Sequence, residues 1–184
     1  DSGALNRQNV LIDYTSGNTG VANGMLGAAV GIDVRLVMPE NVSPARKHIV
    51  RTYGADIVFS DPMEGSDGAI RKVQKLVEED EAGELFYADQ YGNPSNPRAH
   101  ELTTAPEIWE QTDGRVTHFV TATGTSGTIM GTARGLRSFD SDIEVIGVQP
   151  EDAFHGLEGL KHMPSAIVPD IYDASVPDEI LGVG

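Results

Sequence analysis

The chain has 184 residues and a mass of 19.6 kDa, long enough to bury a sizeable core in one domain or in two small ones. No apolar run approaches the roughly 18 residues that a membrane-spanning helix needs, and the absence of cysteine excludes disulfides and thiolate metal sites. The formal net charge of −15 argues against a nucleic-acid partner, because the phosphates would be repelled. The same acidity leaves open whether the protein is adapted to high salt.

Short apolar segments alternate with helical segments along most of the chain. Strands are predicted at residues 10–13, 34–38, 56–59, 85–88, 118–121 and 145–149. Helices are predicted at residues 18–30, 45–53, 66–79, 96–111 and 127–139. This alternation predicts an α/β fold with right-handed crossovers and largely parallel sheets. After residue 150, three further prolines indicate irregular loops.

A polar turn at residues 15–20 separates the first predicted strand from the first predicted helix. Such a turn directs backbone N–H groups and short polar side chains toward one point, with the positive end of a helix behind them. A carboxylate or a phosphate would fit there. The alternative is an ordinary helix N-cap, because Ser, Thr and Asn are common capping residues.

A second loop, at residues 124–128, has two glycines and three hydroxyl residues between a predicted strand and a predicted helix. Glycines let the backbone close around a ligand, and the helix start supplies partial positive charge. The spacing differs from the dinucleotide fingerprint, and no Gly-Lys-Ser/Thr follows. The loop therefore predicts a cup for a monophosphate, with a plain Gly-rich turn as the alternative.

These two loops, together with residues 90–97, resemble the three signature loops of fold-type II pyridoxal-phosphate enzymes of the cysteine synthase group. Residues 38–40 with Arg46, residues 53–58 and residues 106–109 are similar to that family in order and spacing. Residues 116–120 and 147–151 look closest to the cysteine synthase B branch. The resemblance covers essentially the whole chain.

The resemblance implies a pyridoxal 5'-phosphate cofactor and a set of residues around it. The cofactor phosphate would be held by Gly124, Thr125, Ser126, Gly127 and Thr128. The ring hydroxyl of the cofactor would be bound by Asn18. The substrate carboxylate would be held by Thr15, Ser16, Gly17, Thr19 and Gln90.

A basic pair, Lys161 and His162, lies where the B branch often carries basic residues before a proline. In that branch such a pair favours a larger anionic sulfur donor, such as thiosulfate. The resemblance therefore implies that Lys161 takes part in substrate binding. The alternative is an exposed loop lysine beside an incidental histidine, because lysine is usually at the surface.

The implied reaction is β-replacement, in which an O-acetylserine-type substrate and sulfide or thiosulfate give L-cysteine or S-sulfocysteine. A cystathionine β-synthase-like enzyme and a non-catalytic relative that binds an anion or a partner are the alternatives. By resemblance, residues 1–94 form a small mobile domain that carries the polar turn at residues 15–20, the asparagine loop of the family, and residues 95–184 form part of the large cofactor-phosphate domain. We also expect a cytoplasmic homodimer that binds neither nucleic acid, membrane nor metal.

The Schiff-base lysine of the family is expected well upstream of Thr15, outside this chain. Only 14 residues precede Thr15, and none of them is lysine. The serine that faces the pyridine nitrogen in the family is not found here either. We therefore expect the sequence to be an internal part of a longer enzyme, incomplete at both ends. These 184 residues alone would then have negligible β-replacement activity.

Overall fold

The computed structural model describes residues 5–15, 17–157 and 159–184. Two compact units divide the chain, Asp1–Asp89 and Gln90–Gly184. The sequence predicts a boundary after residue 94, and the assignment of a mobile domain and a cofactor-phosphate domain stays a prediction. No helix in the described part of the chain has the length and hydropathy that a membrane crossing requires.

In the first unit, the described residues form a four-stranded parallel sheet and three α-helices. Its strands are β1 (Val10–Tyr14), β2 (Asp33–Pro39), β3 (Asp56–Ser60) and β4 (Leu85–Tyr87). Its helices are α1 (Asn18–Val30), α2 (Pro44–Thr52) and α3 (Gly65–Glu78). The strand order is β3-β2-β1-β4, and every pair is parallel. Strand β2, which follows β1 in the chain, lies on one side of β1, and the later strand β4 lies on the other side. The carboxyl end of β1 is therefore a topological switch point, the place where α/β sheets commonly bind ligands.

Helix α1 packs through glycines rather than through large side chains. Its buried residues are Gly20, Gly24 and Gly27. A Cβ atom on Gly27 would lie 2.4 Å from Cγ2 of Val34 on β2, and one on Gly20 would lie 2.3 Å from Cγ2 of Thr15. The helix can approach the strands this closely only because these positions lack side chains.

The second unit, over the residues that the structure describes, has a three-stranded parallel sheet of order β5-β6-β7 and three helices. Its strands are β5 (His118–Ala122), β6 (Glu144–Pro150) and β7 (Glu179–Val183). Its helices are α4 (Ser95–Leu102), α5 (Thr104–Gln111) and α6 (Gly127–Phe139). Helix α6 supplies most of the core through fully buried Ile129, Met130, Ala133 and Leu136.

The α/β class with parallel sheets is confirmed, and two element predictions are wrong. The single helix predicted at residues 96–111 is interrupted at Thr103, whose φ and ψ are −123° and −64°. Pro106 explains the break, because its ring excludes a continuous helix through the preceding turn. The sequence predicts irregular loops after residue 150, but Glu179–Val183 form strand β7, which pairs with β6.

Candidate functional site

The loop after β1 is organised by the side chain of Thr15, which is buried. The Thr15 hydroxyl oxygen accepts hydrogen bonds from the N–H groups of Gly17 at 3.2 Å and Gly20 at 3.1 Å. Its own N–H donates to the Val37 carbonyl of β2 at 2.9 Å. Gly17 is the N-cap residue of α1 and has no side chain, so Thr15 supplies the capping oxygen that this position lacks.

The first turn of α1 presents two polar side chains to solvent, those of Asn18 and Thr19. No acidic residue occupies this turn, so no side chain there opposes the positive end of the helix. Arg46 of α2 adds a full positive charge, because its Nη1 atom lies 3.3 Å from the position of a Cβ atom on Gly17. Ser16 lies outside the described residues.

The Gly-rich loop, residues 124–128, joins β5 to α6 and turns sharply at Ser126. This residue has a φ of 71°, in the left-handed region, and is the N-cap of α6. Its side chain is 3% exposed, and its Oγ atom has no hydrogen-bond partner among the described residues. The backbone N–H groups of the first three helical residues, Gly127, Thr128 and Ile129, precede the first intrahelical hydrogen bond, which Met130 donates to the Ser126 carbonyl. An unsatisfied hydroxyl and these N–H groups therefore meet at one helix start, where α6 has no acidic residue in its first turn.

Two glycines of this loop are required by close neighbours. A Cβ atom on Gly124 would lie 2.3 Å from the carbonyl oxygen of Gly159. A Cβ atom on Gly127 would lie 1.8 Å from Oδ1 of Asn96. Substitution at either position would push the loop away from the segments that shape it.

Side chains from α4 contact the same loop. The Asn96 Nδ2 group donates to the Gln90 carbonyl oxygen at 2.8 Å and to Oγ1 of Thr125 at 3.2 Å. The Nε2 atom of His100 lies 3.3 Å from Oγ1 of Thr128, and its Nδ1 atom lies 2.9 Å from Oγ1 of Thr104. Burial lowers the pKa of His100, so the ring is neutral near pH 7 and donates from only one nitrogen.

Known proteins are similar in sequence to this chain over nearly its whole length. The sequence family described as "Pyridoxal-phosphate dependent enzyme" matches residues 2–180. This chain belongs to that family. Cysteine synthase of Aquifex aeolicus is 51% identical over 181 residues, which are 98% of this chain and 55% of that protein. Cysteine synthase B of Salmonella typhimurium is 41% identical over 98% of this chain and 58% of its own length.

Solved structures of pyridoxal-phosphate dependent enzymes extend the likeness to the fold. The crystal structure of cysteine synthase from Entamoeba histolytica has a TM-score of 0.88 and 38% identity, and the match covers 98% of this chain and 55% of that one. A hydrogen sulfide-producing enzyme from Fusobacterium nucleatum has a TM-score of 0.90 and 30% identity, covering 98% and 62% of the two chains. The fold-type II prediction is thereby confirmed. The chain spans about half the length of the curated relatives it matches, 55% of the Aquifex protein.

The residues at the start of α6 fit the phosphate of the cofactor that names this family. A phosphate group at neutral pH accepts hydrogen bonds, and the buried Ser126 hydroxyl is a donor without a partner among the described residues. Gly124 and Gly127 keep the loop free of side chains where it meets its neighbours. The positive end of α6 complements the charge of a phosphate. Whether each residue of the loop contacts the cofactor stays a prediction.

Lys161 is held in the interior of the second unit, with 4% of its surface exposed. Its N–H donates to the Thr123 carbonyl at 2.9 Å, directly before the Gly-rich loop. Its ammonium lies 3.3 Å from the Ile167 carbonyl oxygen and 4.7 Å from the ring centroid of Tyr91. The exposed-loop alternative is therefore wrong. A role in binding the substrate stays a prediction for this pyridoxal-phosphate dependent enzyme.

The predicted site residues fall into two groups, one in each unit. The first unit holds Thr15, Gly17, Asn18 and Thr19, and the second holds Gln90, the Gly-rich loop and Lys161. Sequence reasoning missed Asn96 and His100, although both lie directly against the Gly-rich loop. Residues 90–97 resemble a signature loop of the family, but nothing local indicates which side chains of α4 face the Gly-rich loop.

Proposed function

We propose that the complete protein is a pyridoxal-phosphate dependent cysteine synthase. The observation that carries the proposal is the Gly-rich loop, where an unpartnered buried Ser126 hydroxyl and the start of α6 converge. The likeness to cysteine synthases over 98% of the chain supports it. The substrates are an O-acetylserine-type amino acid and sulfide or thiosulfate, and the product is L-cysteine or S-sulfocysteine.

The second unit holds the cofactor through its phosphate. The residues assigned to this task are Gly124, Thr125, Ser126, Gly127 and Thr128. When bound, the cofactor supplies an electron sink for chemistry at the amino-acid carbon atoms. Backbone N–H groups and hydroxyls of the loop fix its position, so its ring is oriented before the substrate arrives. Asn18 in the first unit binds the ring hydroxyl.

Substrate binding uses the polar loop after β1. Those residues are Thr15, Ser16, Gly17 and Thr19, together with Gln90. The capping bonds of Thr15 hold the turn in shape, so its donors are preorganised for a carboxylate. The unit that carries this turn is the mobile domain in our proposal, and Gln90–Gly184 belongs to the cofactor-phosphate domain.

Lys161 favours an anionic sulfur donor. Its ammonium is buried beside Tyr91, and a buried positive charge attracts an anion more strongly than an exposed one. His162 follows directly and adds a second side chain that can donate a hydrogen bond. Thiosulfate, which carries two negative charges, benefits from this pair more than hydrosulfide does.

The test uses the complete protein, purified with the cofactor and supplied with O-acetylserine. We expect cysteine with sulfide and S-sulfocysteine with thiosulfate, and no cystathionine from serine and homocysteine. The isolated 184 residues should form no product, because none of their lysines precedes the loop after β1. Cofactor binding without either product would overturn the cysteine synthase assignment, whereas loss of the cofactor itself would overturn the family chemistry.

The cellular setting is part of the same proposal. The resemblance supports a homodimer that acts in the cytoplasm, and the acidic charge supports a function without nucleic acid. Light scattering of the complete protein would measure the mass of the assembly. A monomer at micromolar concentration would contradict the dimer.

A further inference from the structure

Asn96 links two residues that the proposed function gives to different ligands. Its Nδ2 group makes both of its available hydrogen bonds, to the Gln90 carbonyl at 2.8 Å and to Oγ1 of Thr125 at 3.2 Å. Gln90 is assigned to the substrate carboxylate, and Thr125 is assigned to the cofactor phosphate. One amide group therefore connects the two binding segments of the second unit.

The surroundings of Asn96 leave its amide little freedom to move. A Cβ atom on Gly127 would lie 1.8 Å from Oδ1 of Asn96, so the amide occupies space that a side chain would otherwise fill. The following residue, Pro97, is buried, and its carbonyl oxygen would lie 1.9 Å from a Cβ atom on Gly131. The start of α4 thus packs closely against two glycines of α6, and this packing fixes the position of the Asn96 backbone.

The hydrogen bond to Thr125 determines what the threonine hydroxyl can do. Its oxygen accepts from Asn96, so its own proton points elsewhere and is available for an acceptor. A phosphate oxygen is such an acceptor. Hydrogen bonds in a chain also polarise one another, so donation by Asn96 strengthens donation by Thr125.

We infer that Asn96 is a positioning residue that orients the Thr125 hydroxyl toward the cofactor phosphate and anchors the main chain of Gln90. This inference rests on the proposed function. Asn96 itself touches neither ligand in this scheme and acts through its two partners. Its removal should weaken cofactor binding and substrate binding together, although no contact with either ligand is deleted.

The first experiment compares Asn96→Asp with Ser95→Asp in the complete protein. The Asn96→Asp carboxylate has the same shape but only accepts hydrogen bonds, so it turns the Thr125 proton inward and repels the Gln90 carbonyl. Ser95 is exposed and adjacent, so Ser95→Asp adds the same charge without these contacts. We expect the dissociation constant for pyridoxal phosphate to rise at least about tenfold in Asn96→Asp and less than about twofold in Ser95→Asp.

A double-mutant cycle separates positioning from a general loss of structure. Thr125→Val removes the hydroxyl that accepts from Asn96. We therefore expect Asn96→Asp to weaken cofactor binding less in the Thr125→Val protein than in the unaltered protein. Gln90→Ala keeps the carbonyl that Asn96 binds, so it should raise the KM for O-acetylserine and leave cofactor affinity within about twofold. Additive effects of the Asn96 and Thr125 substitutions would overturn the inference.

Amide hydrogen exchange provides a measurement that does not depend on the folding of the Asn96 variants. In the cofactor-free complete protein, Thr125→Val should increase exchange in peptides that cover residues 90–96 and leave those that cover α5 unchanged. Unchanged exchange at residues 90–96 would overturn the inference. If the unaltered protein binds no pyridoxal phosphate, the proposed function fails; if it binds the cofactor and Asn96→Asp matches Ser95→Asp, only the inference fails.

Discussion

Arg46 lies against Gly17, with its Nη1 atom 3.3 Å from the place where a Cβ atom would stand. The guanidinium comes from the first turn of α2, where the N–H of Arg46 donates to the N-cap oxygen of Ser43 at 3.4 Å. A full positive charge therefore stands beside the turn that we assign to the substrate carboxylate. The helix end and this guanidinium act in the same direction on an anion.

Replacing Arg46 by glutamine should weaken substrate binding without releasing the cofactor. The variant keeps most of the side-chain length but loses the charge, and a charge-assisted interaction contributes about 1.5–3 kcal/mol. We expect the KM for O-acetylserine to rise roughly tenfold and the affinity for pyridoxal phosphate to stay within about twofold. A matched loss of cofactor affinity would show that Arg46 supports the fold of the first unit instead.

Gly124→Ala should destabilise the second unit, because the new Cβ atom would meet the Gly159 carbonyl oxygen at 2.3 Å. Backbone cannot move aside as a flexible side chain can, so the cost should be about 1–3 kcal/mol. Gly156→Ala is the control, since nothing lies within 4 Å of its Cβ position. Urea denaturation of the complete protein measures both, and equal midpoints for the two variants would contradict the close approach.

Lys161→Met should change the preference between sulfur donors. Methionine fills much of the same buried volume beside Tyr91 but carries no charge. We expect kcat/KM with thiosulfate to fall about tenfold and kcat/KM with sulfide to fall less than about threefold. Equal losses with both donors would assign Lys161 to packing and not to the donor site.

Asp178→Asn should reduce stability at neutral pH by less than about 1 kcal/mol, because solvent screens the exposed carboxylate. The N–H of Val145 donates to Oδ2 of Asp178 at 2.7 Å, and the Arg137 guanidinium also pairs with that oxygen. These contacts hold the pKa of Asp178 below its ordinary value, with the hydrogen bond from Val145 as the largest cause and desolvation of the carboxylate opposing it.

The sign of the pH dependence follows from that lowered pKa. The contribution of the carboxylate is present above the ordinary aspartate pKa and is lost as the pH falls through the folded-state value. The difference in unfolding free energy between the protein and Asp178→Asn should therefore shrink below about pH 4. A difference that stays constant down to pH 2 would rule out this linkage.

Salt should stabilise the chain if its acidity is an adaptation to a high salt concentration inside the cell. The net charge of −15 produces self-repulsion that counterions screen, with a Debye length of about 3 Å at 1 M salt. We expect the thermal midpoint to rise between about 0.1 and 1 M KCl, a range over which the Debye length falls from about 10 Å to about 3 Å. A midpoint indifferent to KCl would argue for an ordinary acidic protein.

Local signals were sufficient for the two loops and for the helices that follow them. Helix α1 ends as predicted at Val30, because Gly31 adopts a left-handed φ of 73° that favours glycine. Helix α6 begins and ends at the predicted residues, since glycine and hydroxyl residues before an apolar stretch mark a helix start. These features depend on neighbours within a few positions.

The features that the sequence did not reveal depend on distant partners. The interior position of Lys161 follows from contacts with Thr123 and Tyr91, and the role of Asn96 follows from the approach of α4 to α6. Strand β7 is exposed along its whole length and forms through its register with β6, so its own residues carry little periodic signal. The assignment of each site residue to a ligand stays a prediction.

The place of β7 in the chain predicts when this strand joins the second unit during folding. Strands β5 and β6 are joined by a crossover through α6, whereas β7 pairs with β6 after a longer stretch of chain, 151–178, whose described residues form no helix or strand. Closing a longer loop costs more chain entropy and slows pairing. We therefore expect β7 to dock last during refolding, after the crossover has already shaped the Gly-rich loop.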